Sequence, residues 1–165
     1  MKYTEEIAKN TTDPKILTEI LKRGKDDFVS RWAALNSNCP PEILVEVLRR
    51  EKNDYVSQYA AMNPNCPSEI LVEILRKEKN DMVSWRAVEN RNCPKEILVE
   101  ILKREKNDDV SHYAFSNPNC PLEAKIRWMQ ATGKIVKEDP TKHIIEYENN
   151  KEDDFQDLKD LLKNC

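Results

Sequence analysis

Apolar residues recur along the middle of the chain as adjacent pairs one helical turn apart: Ile43-Leu44 and Val47-Leu48, Ile70-Leu71 and Ile74-Leu75, Ile97-Leu98 and Ile101-Leu102. Spacing of i, i+1, i+4, i+5 draws one stripe along an α-helix and does not fit the alternation of a strand. The pattern predicts a helix starting at Pro67 as its first helical residue, where a missing N–H costs nothing. Arg76 and Lys77 then fall in its last turn, where positive charge complements the helix dipole. Upstream, residues 54–62 predict a second, shorter helix. Asp54 is its N-cap and Val56 and Ala60 share a face. Asn63-Pro64 ends it, because the residue before a proline is pushed out of helical geometry.

The same two-helix unit returns every 27 residues. Cys39, Cys66, Cys93 and Cys120 keep that spacing, as do Val29, Val56, Val83 and Val110, and Ser30, Ser57, Ser84 and Ser111. Asn38, Asn65, Asn92 and Asn119 keep it too, each two residues before Pro40, Pro67, Pro94 and Pro121. A period of this length predicts a solenoid, an all-α stack of two-helix layers. Residues 1–26 read as a degenerate N-terminal capping repeat in which Thr12 takes the cysteine position. Residues 27–133 hold about four repeats, the last with Ala124, Trp128 and Met129 in place of the aliphatic stripe and Gly133 as a C-cap. Residues 134–165 read as a helical cap and acidic tail, with apolar positions Ile144, Ile145 and Tyr147, then Phe155, Leu158, Leu161 and Leu162. One domain accommodates the whole chain.

The unit Val-Ser-x-x-Ala-x-x-Asn-x-Asn-Cys-Pro-x-Glu-Ile-Leu-Val-Glu-x-Leu, as at Val83 to Leu102, resembles the leucine-rich repeat variant family over roughly residues 10–130. The resemblance implies a HEAT-like, right-handed α-solenoid in which a longer α-helix alternates with a short helix that is often 3₁₀. Three departures matter. The repeat is longer here, which leaves room for a true α-helix in the first position. Ser30, Ser57, Ser84 and Ser111 stand where the family often has arginine. The founding nitrogen-fixation member has an N-terminal cysteine cluster for an iron–sulfur centre, and residues 1–38 here contain no cysteine, so that cofactor is not carried over and none is expected.

Composition narrows the picture. Two glycines in 165 residues are too few for the turns of a sheet protein of this size. The longest aliphatic runs are three residues, so no membrane span is expected, and without an apolar leader the expected compartment is cytoplasmic. Residues 1–121 carry 19 basic and 20 acidic side chains, unlike the basic body of a dedicated nucleic-acid binder.

Candidate chemistry is sparse. Only His112 and His143 are present, with no phosphate loop, HExxH or nucleophile elbow, which argues against an enzyme. The cysteine column invites a metal or redox reading. Equivalent positions in stacked helices lie roughly 8–10 Å apart, too far for a disulfide or a shared tetrahedral ion. A packing role for the thiols, and a capping role for the asparagines at 36, 63, 90, 117 and their partners two residues on, are the expectations. Cations recur at each second-helix end: Lys22, Arg23 and Lys25, then Arg49, Arg50 and Lys52, then Arg76, Lys77 and Lys79, then Lys103, Arg104 and Lys106. Such a ridge is a candidate polyanion site, with Glu51, Glu78 and Glu105 interleaved as the argument against it. Within the first helices, two columns vary while the alanine column does not. They are Arg31, Gln58, Trp85, His112 and Trp32, Tyr59, Arg86, Tyr113. Trp, Tyr and Arg are the residues enriched at interface hot spots. The favoured expectation is therefore a non-enzymatic scaffold that binds an unidentified protein through these columns; nucleic acid ranks second.

Overall fold

The computed structural model describes residues 3–134. They form ten α-helices and no strand: α1 (Glu5–Asn10), α2 (Pro14–Lys22), α3 (Phe28–Leu35), α4 (Pro41–Leu48), α5 (Tyr55–Met62), α6 (Ser68–Leu75), α7 (Met82–Glu89), α8 (Lys95–Lys103), α9 (Asp109–Ser116) and α10 (Leu122–Ala131). The odd-numbered helices pack on one another in order, α1 on α3, α3 on α5, α5 on α7 and α7 on α9. Even-numbered helices form a second row: α2, α4, α6 and α8 each touch the odd helix that follows, and α10 packs on α8. This all-α, repeat-like arrangement is compatible with a solenoid. The expected cap and tail from 135 onward, with Cys165 and His143, lie outside the described residues.

Local chemistry explains each layer. Asp27, Asp54, Asp81 and Asp108 are the N-caps of α3, α5, α7 and α9, each accepting the N–H of the serine three residues on at 2.8–2.9 Å. Ser57, Ser84 and Ser111 also donate their hydroxyls to the same carboxylates at 2.7–2.8 Å. Those hydroxyls are buried, and the second bond gives the serine column a physical reason. The first helices are α-helical throughout.

Two expectations need correction. Pro67 is the N-cap of α6, not its first helical residue; Pro94 and Pro121 cap α8 and α10 in the same way. Its ψ of 143° is extended, because the preceding turn is closed by Cys66 N–H donating to the Asn63 carbonyl at 2.9 Å. The missing N–H is equally harmless there, since the N-cap N–H has no place in the helix ladder. Thr12 does not take a buried cysteine place: it is exposed. Thr11 is the C-cap of α1 and α2 begins at Pro14, whereas Asn36 precedes Pro41, so the first turn is two residues shorter. Thr11 Oγ1 accepts from Asp13 N–H at 3.1 Å, doing locally what the asparagines do in later layers.

The core is the expected stripe. Ile70, Leu71, Ile74 and Leu75 are buried, and so are their counterparts on α4 and α8. Ala33, Ala60, Ala87 and Ala114 are fully buried where odd helices meet. A larger side chain there would push the helices apart, which accounts for that column's constancy within the chain. At the far end, Gly133 has φ +71°, with Lys134 N–H bonded to Met129 O and Gly133 N–H to Gln130 O, a Schellman ending for α10.

One backbone column escapes the sequence patterns. Gly24, Glu51, Glu78 and Glu105, all 27 residues apart, have φ between 54° and 67°. Only glycine takes this region without a Cβ penalty. Glu51 meets Lys77 at 3.1 Å and Glu78 meets Lys106 at 3.0 Å in the following layer. The hydrogen bond from that lysine is the main reason each carboxyl sits below its ordinary pKa. Glu105 has no such partner among the described residues, because Ala131 and Gly133 stand where those cations would be. Glu105→Gly is therefore expected to raise stability by about 0.5–1 kcal/mol in chemical denaturation. Glu78→Gly should gain less, since it also removes the ion pair.

Candidate functional site

The two varied columns are adjacent positions on the odd helices, and all eight residues are half-buried. In the column at 31, 58, 85 and 112, three of the four side chains lean on the loop before their own helix. Arg31 pairs with Asp26 at 2.9 Å, Trp85 Nε1 donates to Asn80 Oδ1 at 2.9 Å, and His112 Nε2 lies 3.0 Å from Asn107 Oδ1. The second column packs between layers. Lys9 lies over the Trp32 ring at 5.0 Å and the Tyr113 ring sits 6.0 Å from that of Trp85, whereas Arg86 pairs within its own helix, with Glu89 at 2.7 Å. Trp32, Tyr59, Trp85 and Tyr113 all touch the core. These aromatics thus hold neighbouring layers together and present one edge to solvent.

A third column, not singled out by the sequence argument, is the more exposed. Phe28 and Tyr55 open the first turns of α3 and α5 and are 62% and 51% exposed, the large apolar residues most open to solvent among those described. The Arg31 guanidinium lies between them, 5.0 Å from the Phe28 ring centre and 4.2 Å from that of Tyr55. Together with half-buried Met82 on α7, they continue the aromatic face toward the loops before the odd helices. The signal was present: Phe28, Tyr55, Met82 and Asp109 have the 27-residue spacing and vary as the other columns do.

The basic ridge is largely neutralised. Arg49 meets Glu73 at 3.6 Å and Arg76 meets Glu100 at 3.6 Å, each one layer on. Lys77 reaches Glu51 and Glu73, and Arg104 reaches Glu78 and Glu100. Arg50 pairs with Glu46 at 3.0 Å and donates to the Leu21 carbonyl at 3.1 Å. Lys103 is the exception among the six, with no carboxylate of the described residues within 4.0 Å.

The cysteine column is a packing element. Cys39, Cys66, Cys93 and Cys120 are free and buried. Burial pushes the first three thiols up to about 12 and Cys120 up to about 11, so none supplies a thiolate at neutral pH. Among the described residues no group of three His, Cys, Asp or Glu side chains is placed to hold a metal ion, and no helix is long and apolar enough to cross a membrane.

Comparison with protein-family models, with curated proteins and with solved structures finds no match to this chain.

Proposed function

We propose that the chain is a non-enzymatic α-solenoid of the leucine-rich repeat variant type that binds a protein partner across its odd-numbered helices. The observation that carries this reading is the pair Phe28 and Tyr55, exposed on adjacent helices with the Arg31 guanidinium between them. Exposed aromatics around an arginine form the composition of an interface anchor, and the half-buried Trp32, Tyr59, Trp85 and Tyr113 beside them provide a rigid support. Phe28 and Tyr55 make few core contacts, so Phe28→Ser with Tyr55→Ser removes the anchor and leaves the layers intact. Affinity capture from the native source should lose its partner with this double variant while the thermal midpoint stays within about 2 °C. Retention of the partner by the double variant would move the interface elsewhere.

Nucleic acid is the weaker reading, because the second-helix cations already face glutamates. Electrophoretic mobility with duplex DNA is expected to show no shift that Arg49→Glu, Arg76→Glu and Lys103→Glu together abolish. A salt-dependent shift lost in that triple variant would reverse the ranking.

A further inference from the structure

Between α8 and α10 lies a groove of about 280 Å³. Its floor is apolar, formed by Val99, Leu102, Ala124 and Trp128. It exists because the last layer departs from the repeat at two positions. Ala124 stands where Ile43, Ile70 and Ile97 fill the equivalent space, and Arg127 stands where Glu46, Glu73 and Glu100 stand. In the two layers before, this acid accepts the cation of the preceding layer, as in Arg49–Glu73 and Arg76–Glu100, both at 3.6 Å. Here the corresponding residues are Lys103 and Arg127, two cations on the rim of one groove, neither engaged by a carboxylate among the described residues.

We propose that this groove is a second binding site, for an acidic–aromatic segment of a partner protein. Its carboxylates lie on Lys103 and Arg127, and its apolar side chain fills the space above Ala124. Two unpartnered cations beside an apolar floor match a ligand carrying negative charge next to hydrophobic surface. A nucleic-acid backbone fits less well, because Glu105 and Glu123 also line the groove and oppose a continuous row of phosphates. A small inorganic anion would leave the floor unused. The site lies on the even-numbered row and is independent of the aromatic face of the odd helices.

The test uses the full chain and the peptide acetyl-Asp-Asp-Phe-amide, followed by calorimetry and by the Trp128 indole resonance. Saturable binding is expected with a Kd below about 1 mM. Acetyl-Asn-Asn-Phe-amide should bind at least tenfold more weakly. Arg127→Glu and Ala124→Ile should each weaken the acidic peptide at least tenfold while leaving the thermal midpoint unchanged or higher. Both substitutions install the residue that the other layers carry, so loss of binding is separable from loss of fold. No saturable binding, or equal binding of the amide peptide, or unchanged affinity in both variants would overturn the proposal. So would binding that appears only when Glu152, Asp153 and Asp154 are made amides, since the groove would then belong to the chain's own acidic segment.

Discussion

Asn63→Ala is expected to lower the unfolding free energy by about 2–4 kcal/mol. Asn63 is fully buried. Its Nδ2 donates to the Ala34 carbonyl at 2.6 Å and to the Asn36 carbonyl at 3.0 Å, and its Oδ1 accepts Asn65 N–H at 2.8 Å. Ala34 lies in the last turn of α3, where carbonyls have no helical partner. Truncation therefore leaves the buried Ala34 carbonyl without a bond, strips the Asn36 carbonyl of one of its two donors (Cys39 N–H remains, at 2.9 Å), and frees the part-buried Asn65 N–H. The bonds also run in series: Asn90 donates to the Asn63 carbonyl and Asn117 to the Asn90 carbonyl, so one loss is felt along the array. Asn63→Asp should be at least as damaging, because a carboxylate oxygen would face the two carbonyls. Asn65→Ala is the control. It donates to Ser37 and Cys39 carbonyls but is half-exposed, and water can replace it, so about 1 kcal/mol is expected. Urea denaturation followed by circular dichroism measures all three. A loss under about 1 kcal/mol for Asn63→Ala would mean that the amide ladder does not hold the layers.

Alkaline pH is expected to unfold the protein through its thiols. Burial raises Cys39, Cys66 and Cys93 to about 12 and Cys120 to about 11, from an ordinary value of 9.0. The sign follows from proton counting. Above the unfolded value the unfolded chain releases thiol protons that the folded chain keeps, so stability falls with rising pH. The contribution is fully present below about pH 9 and is lost between there and pH 11 to 12, each thiol adding a slope approaching about 1.4 kcal/mol per pH unit. Tyrosines and lysines titrate in the same range, so the reference is a chain with Cys66→Ala, which should lose one thiol's share of the slope. Labelling gives a second readout. In a Cys165→Ser background the four core thiols should react with a maleimide at neutral pH only as fast as the layers open. Prompt reaction of any of the four would refute their role as closed packing elements.

These two predictions separate what was visible in the residues from what was not. The helices, their order and their apolar stripe were legible because period and identity coincide: Ile70, Leu71, Ile74 and Leu75 can share a face only in a helix. The N-cap aspartates were legible because capping is local chemistry. The four repeat cysteines are buried, as a packing role requires. Residues 51, 78 and 105 were not legible as left-handed positions, because glutamate disguises a site that only Gly24 advertises. The exposed face was half legible. Variation within columns pointed to the odd helices, but exposure depends on how each helix is rotated against its neighbours, and that rotation puts Phe28 and Tyr55 outside Trp32 and Tyr59.

What the sequence determined by itself is the layer: two helices, their caps, their apolar faces and the turn between them, all set by contacts within a few residues. The tertiary structure decided everything that runs between layers. It joins Asn63 to Asn36 across 27 residues, sets Arg49 against Glu73, and leaves Lys103 and Arg127 without such a pair beside the space that Ala124 opens. The physical reason is range. Propensity and capping act along the chain, whereas the pairing of charges and the filling of space depend on which residues stacking brings face to face.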